Sequence, residues 1–281
     1  MFINKKFIFR YLLNPHEIFK NFLFWIKAKK SQKKFIFIIG APRSGTTLLQ
    51  RLIITNPLIS GFDYETSVFS PKSIYDYSRF KDFICYEKFK ECIDGSNDIV
   101  TFFEQLHSDF IADSKVKFVL EKTPQHIKRL KFIIDHFPNS KIIHIYRDGR
   151  DCFVSGKRGG NIPQTKKIVN YAKYWKKCIN SRCEIDSKNI FDISYESLVK
   201  NPKENMFSIF NFLNLDFFDY QLNANNYSSD NRADLHEFKR LNSEINDSSV
   251  NQFKKFMSEY EINKFQKLCK NELKKLGYEL I

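Results

Sequence analysis

Paired cysteines, long apolar runs and acidic charge are what this 281-residue chain has little of, and each shortage excludes something. The six cysteines, Cys85, Cys92, Cys152, Cys178, Cys183 and Cys269, include no Cys-x-x-Cys pair. No histidine stands at zinc-finger spacing, so no zinc-site pattern is present. No segment approaches the ~18 uninterrupted apolar residues of a membrane span. Arg10 interrupts the first apolar run and no small-residue cleavage site follows, so the N-terminus does not read as a signal peptide. These absences lead to the expectation of reduced thiols and a cytoplasmic protein, at most peripheral to a membrane. Acidic residues number 32 against 46 Lys and Arg, a net charge of +14. That balance suits an anionic partner (nucleotide, acidic glycan, nucleic acid or anionic membrane) without choosing among them. With 42% hydrophobic residues the chain is globular, and it is long enough for one large α/β domain.

What is present is organised around Lys34 to Leu49, KFIFIIGAPRSGTTLL. Phe35 to Ile39 is a short continuous apolar run, the pattern of one buried strand, and Gly40 ends it. From Thr46 the pattern turns helical, with Leu48, Leu49, Leu52 and Ile53 on one face. A strand, a tight Gly-bounded loop and a helix start build an anion cradle, because the first helical N–H groups have no internal partner and the helix dipole adds positive charge there. Arg43, Ser44, Thr46 and Thr47 add side-chain donors. The spacing is that of a phosphate loop, Gly-x-x-x-x-Gly-x-Thr, with Thr46 where a kinase or ATPase carries Lys. Without that Lys, and with no carboxylate ending a second apolar strand, ATP hydrolysis is disfavoured.

Strand and helix patterns alternate through the rest. Ile59 to Phe62 makes a poor strand, 70–114 read as helical and aromatic, and Lys117 to Leu120 is a strand ending in EKTP. A helix is expected from Pro124 to about His136, a strand over Lys141 to Tyr146, then RDGRD turning into a helix to about Lys157. GGNIPQ at 159–164 reads as a flexible loop. A long amphipathic helix carries Tyr171, Trp175, Cys178, Ile179 and Arg182, followed by a strand over Asn189 to Ile193 and a helix over Pro202 to Leu213. Residues 223–250 read as a polar loop, a candidate lid, and 259–276 as a last helix. The alternation predicts a three-layer α/β/α domain with a central parallel sheet, over 35–281, whose motifs all follow strands and converge at their carboxyl ends. Residues 1–34 form a separate basic amphipathic helical segment. Phe19, Phe22, Leu23 and Ile26 share one helical face, with Lys20, Lys27, Lys29, Lys30, Lys33 and Lys34 around them. That helix suits either an anionic membrane through residues 11–34 or packing on the domain.

Phosphate loop and YRDGRDCFVS together resemble the sulfotransferases that use 3′-phosphoadenosine 5′-phosphosulfate (PAPS), nearest to their carbohydrate and tyrosyl-protein branch. The resemblance runs from about Phe35 to Leu276 and implies a P-loop NTPase-like sulfotransferase fold, PAPS as sulfuryl donor and no required metal. It implies that Arg43, Ser44, Gly45, Thr46 and Thr47 hold the 5′-phosphosulfate and that Arg147 and Ser155 hold the 3′-phosphate, with Lys157 or Arg158 assisting. Glu65 in DYET matches the general base of the tyrosyl-protein branch; His126, after KTP, is the rival base. Lys122 matches a lysine beside the transferred group. Tyr195 matches a tyrosine that donates to phosphate or packs beneath the nucleotide, and Lys255 stands near a family phosphate ligand, with Phe256 replacing the usual Trp. The implied acceptor is a hydroxyl or amine of a glycan first, then a peptide tyrosine or a lipid, with no nucleic-acid partner. A P-loop nucleotide kinase and a non-catalytic nucleotide or membrane binder are the alternatives.

Overall fold

The apolar run after Lys34 becomes a strand with every residue buried, and the remaining elements are laid out on either side of it. The computed structural model describes residues 15–160, 162–223 and 245–281. Pro15–Ile26 (α1) leads to Phe35–Gly40 (β1), Thr46–Ile54 (α2) and Ile59–Gly61 (β2). Tyr86–Asp94 (α3) and Ile99–Leu106 (α4) precede Phe118–Lys122 (β3). Then come Leu130–His136 (α5), Lys141–Tyr146 (β4), Gly149–Gly159 (α6), Ile168–Cys183 (α7), Ile190–Ser194 (β5), Pro202–Leu213 (α8) and Glu259–Lys275 (α9). Among the described residues the five strands form one parallel sheet in the order β2-β3-β1-β4-β5.

Successive side chains of β1 enter two different cores, as a strand buried on both faces requires. Phe35, Phe37 and Ile39 join a phenylalanine-rich core with Phe69, Phe102, Phe103, Phe137 and Trp175. Ile36 and Ile38 join Leu49, Leu52 and Ile53 of α2 and Met206, Ile209 and Phe210 of α8. Helical layers on both faces give the expected three-layer α/β/α arrangement. Each fully buried side chain of this size contributes about 1.5–3 kcal/mol, so β1 is firmly held and the loop at its end starts from a fixed base.

Several elements depart from the sequence reading. The weak run at Ile59 is a true edge strand, because β3 supplies a parallel partner for it. β3 continues past its apolar run through Glu121 and Lys122, which pair with Phe37 and Ile38. The single helix expected from Pro124 is a 3₁₀ turn, Pro124–Arg129, followed by α5. The three-residue repeat of that turn stacks Pro124, Ile127 and Leu130, all buried, on one line. Helix α6 runs into the expected 159–164 loop as far as Gly159, and Pro163–Lys166 is another 3₁₀ turn. Most of the candidate lid, 224–244, and residues 11–14 of the basic segment lie outside the described residues.

Candidate active site

In this strand order the chain leaves β1 toward β2 and leaves β4 toward β5, in opposite directions. Neighbouring strands whose connections diverge open a crevice at their carboxyl ends, the usual place for a ligand in such a sheet. The phosphate loop follows β1 and Arg147 follows β4, so both motifs border this crevice.

Arg43 and Gly45 have left-handed backbone (φ 73 and 100) on either side of Ser44, an alternation that turns successive N–H groups toward one concave side. Gly45 is required twice over: its φ disfavours a side chain, and a Cβ there would stand 2.5 Å from the Tyr195 ring. Helix α7 braces both loops from behind. The Tyr171 hydroxyl donates to the Pro42 carbonyl (2.9 Å) and Trp175 Nε1 donates to the Arg147 carbonyl (3.2 Å). In a trans peptide the carbonyl of Pro42 and the N–H of Arg43 point opposite ways, so anchoring the first aims the second away from α7.

Arg147 is buried, and it is the hub of the crevice. Its Nη1 donates to the Arg43 carbonyl (3.2 Å) and its Nη2 to the Ser249 carbonyl (2.5 Å). Its guanidinium lies 4.4 Å from the centre of the Tyr195 ring. Arg43 Nε in turn donates to Ser155 Oγ (3.1 Å). The structure thus brings Arg43, Gly45, Arg147, Ser155 and Tyr195 together, with Tyr195 as a packing plate between the two loops. Ser44 Oγ and Arg147 Nε are buried polar atoms with no hydrogen-bond partner. Such orphans cost about 1–3 kcal/mol each, a cost that an anionic ligand with oxygens in the crevice would relieve. The residues therefore fit a ligand carrying negative charge at two points.

On the outer side, Asp151 accepts from the backbone N–H of Asn251 and Phe253 (2.8 Å each) and fastens the segment that carries Lys255 to α6. Lys255 is exposed beside the Phe256 ring, and Arg158 covers that ring at 5.0 Å. Lys157 instead pairs with Glu261 at 3.0 Å.

A second group stands at the ends of β2 and β3. Lys122 Nζ, with a side chain 0% exposed, is 3.0 Å from Glu65 Oε1, whose side chain is 39% exposed. Beneath the pair Glu121 is fully buried. One of its oxygens accepts from both Thr66 Oγ1 (2.9 Å) and Thr123 Oγ1 (2.6 Å), and the Ser67 N–H donates to Thr123 Oγ1. Glu121 thus staples the residue after Glu65 to the residue after Lys122. Burial opposes its charge, but His107, His126 and Thr123 outweigh that and hold its carboxyl below the ordinary value. His126 is not brought to the crevice. It is 1% exposed, and its Nε2 accepts the Phe69 N–H (3.3 Å). Burial pushes it down to about 4 in spite of Glu121.

Sequence reasoning passed over Glu121, Asp151 and the polar ends of Tyr171 and Trp175. The only trace of the last two was their shared apolar face. Among the described residues no group of three or more His, Cys, Asp or Glu side chains could hold a metal ion.

A parallel α/β sheet with a phosphate-loop turn at its switch point defines the class. Residues 36–219 match the model of the sulfotransferase family, and the chain belongs to that family. Protein-tyrosine sulfotransferase A of Caenorhabditis elegans is 27% identical over 194 residues, 64% of this chain and 50% of that one. An uncharacterized protein of Aquifex aeolicus is 22% identical over 250 residues, 80% of this chain and 31% of the other. The chain therefore spans half or less of these relatives' lengths. Among solved structures, the sulfotransferase domain from the Synechococcus PCC 7002 olefin synthase has a TM-score of 0.68 at 17% identity, covering 91% of this chain and 98% of that one. Retinol dehydratase in a complex with retinol and PAP has a TM-score of 0.50 at 13% identity, covering 97% and 87%.

Proposed function

We propose that this protein transfers a sulfuryl group from PAPS to a hydroxyl or amine of its acceptor. Transfer breaks the bond between sulfur and the bridging oxygen of the 5′-phosphate, forms a bond from sulfur to the acceptor atom, and releases the acceptor's proton. Three tasks follow for the chain: holding both ends of the nucleotide, stabilising the leaving phosphate, and taking that proton. Arg147 and Ser155 grip the 3′-phosphate, with Arg158 and Lys255 nearest to assist, since Lys157 is committed to Glu261. The loop amides with Arg43, Ser44, Thr46 and Thr47 hold the 5′ end. Lys122 neutralises charge on the bridging oxygen, and Glu65, the more exposed member of its pair, takes the proton. His126 has no part in proton transfer, because its Nε2 is occupied and its ring is buried.

The observation that carries this reading is the chain of contacts Ser155–Arg43–Arg147, which joins the two loops into one mouth. Peptide tyrosine comes first as acceptor, ahead of a glycan or a lipid, because the curated relative in Caenorhabditis elegans is a protein-tyrosine sulfotransferase. Tyr64, next to Glu65, stacks on Phe83 and offers a flat wall for a phenol ring.

Calorimetry with 3′,5′-ADP and with AMP tests the donor. Tighter binding of 3′,5′-ADP in wild type is expected, with about 2–5 kcal/mol of it lost in Arg147→Ala. Equal affinities for the two nucleotides would defeat the proposal. Labelled sulfate supplied as PAPS to tyrosine peptides and to a glycan library, read by mass spectrometry, then identifies the acceptor.

A further inference from the structure

The apolar residues of α1 do not pack on the domain as a set. Phe24 is buried, and Trp25 lies against Phe69 and Phe132. The Asn21 side chain accepts the Ile74 N–H (3.1 Å). These residues attach the helix to the body. At about 100° per residue, Phe24 lies opposite the stripe formed by Ile18, Phe22, Ile26 and Phe19. That stripe is exposed: Phe19 59%, Phe22 56% and Ile26 63%. Lys20 and Lys27 lie together on one side of the helix, between the stripe and the attached face, and Lys29, Lys30, Lys33 and Lys34 follow before β1; all six are exposed. Glu17 is the one acidic residue of α1 and the segment after it.

We infer that the outer face of α1 is a docking surface for an anionic lipid bilayer. An exposed row of large apolar side chains with lysines along one side and in the segment that follows matches the requirements of an interfacial helix: the apolar side chains enter the acyl boundary and the ammonium groups meet lipid phosphates and carboxylates. A second copy of the chain fits less well. A two-fold contact through this stripe would set the same lysines against one another. No helix among the described residues is long and apolar enough to cross a membrane.

Co-sedimentation of the full chain with lipid vesicles tests this independently of any sulfuryl transfer. Wild type should pellet with vesicles of phosphatidylcholine and phosphatidylserine, stay in solution with phosphatidylcholine alone, and be released by added salt. The variant Phe19→Gln/Phe22→Gln/Ile26→Gln should lose about tenfold or more in partitioning, with an unchanged thermal melt, because glutamine keeps the helix propensity. Lys20→Glu/Lys27→Glu should weaken binding to the anionic vesicles and reduce its salt dependence. Three results would overturn the inference: wild type left in the supernatant with anionic vesicles, the triple variant pelleting as well as wild type, or light scattering showing a wild-type dimer that the triple variant dissolves.

Discussion

Lys122 carries its ammonium group out of contact with water, and the carboxylate that balances it is on Glu65. A buried charge that loses its partner is costly, on the order of 3–5 kcal/mol for a fully enclosed pair and less here because Glu65 is partly solvated. Glu65→Ala therefore confounds two losses, the proposed base and the counter-charge. The double variant Glu65→Gln/Lys122→Met isolates the counter-charge through stability, and the single variant Glu65→Gln, which keeps Lys122, reports on the proposed base. The double variant should regain most of the stability that Glu65→Ala loses in urea unfolding, while turnover of Glu65→Gln falls by about 10²–10⁴, the usual contribution of a general base. Full turnover in Glu65→Gln would remove the carboxylate from the reaction. The Glu121 staple makes the same pair sensitive at one remove, since each of its threonine partners is the chain neighbour of one member of the pair.

At the scale of elements, α7 braces both loops in addition to their own turn residues. Tyr171→Phe deletes a single hydroxyl and frees the Pro42 carbonyl. A lost hydrogen bond of this kind is worth about 1 kcal/mol, so the affinity for 3′,5′-ADP should fall roughly fivefold, measurable by calorimetry. An unchanged affinity would show that the loop holds its shape without α7. The same elements show what was legible in the sequence. β1, β4, α2 and α8 were readable because continuous apolar runs and three-four spacing report burial directly. Arg43 and Arg147 could be placed in one crevice because parallel strands deliver their carboxyl ends to one edge. Glu121 was not readable, since its buried charge is tolerated only through threonines and histidines that tertiary folding supplies. Neither was the outward stripe of α1: periodicity finds a shared face but not the direction in which it points. His126 looked like a base because its type and place in KTPQH say nothing about burial.

For the molecule as a whole, His126 ties stability to acid. Its folded value, about 4, lies below the 6.5 of the unfolded chain. Between those two values the unfolded state binds the extra proton, so its contribution is intact above about 6.5 and is lost as the pH falls toward 4. A shift of this size corresponds to about 3 kcal/mol. Burial raises the Asp151 carboxyl to about 6, which acts in the opposite sense over the same window, so the comparison must be with wild type. His126→Gln should show a shallower fall in urea midpoint from pH 6.5 to 4; a parallel fall would place the acid sensitivity elsewhere. One further consequence follows from the seat of Trp25 between Phe69 and Phe132. Phe69 is four residues after Glu65, so the seat of α1 lies close along the chain to the proposed base. With α1 resting on lipid, an acceptor tethered to the same leaflet would be met by lateral diffusion in a plane, and geometry alone would favour anchored acceptors over freely dissolved ones.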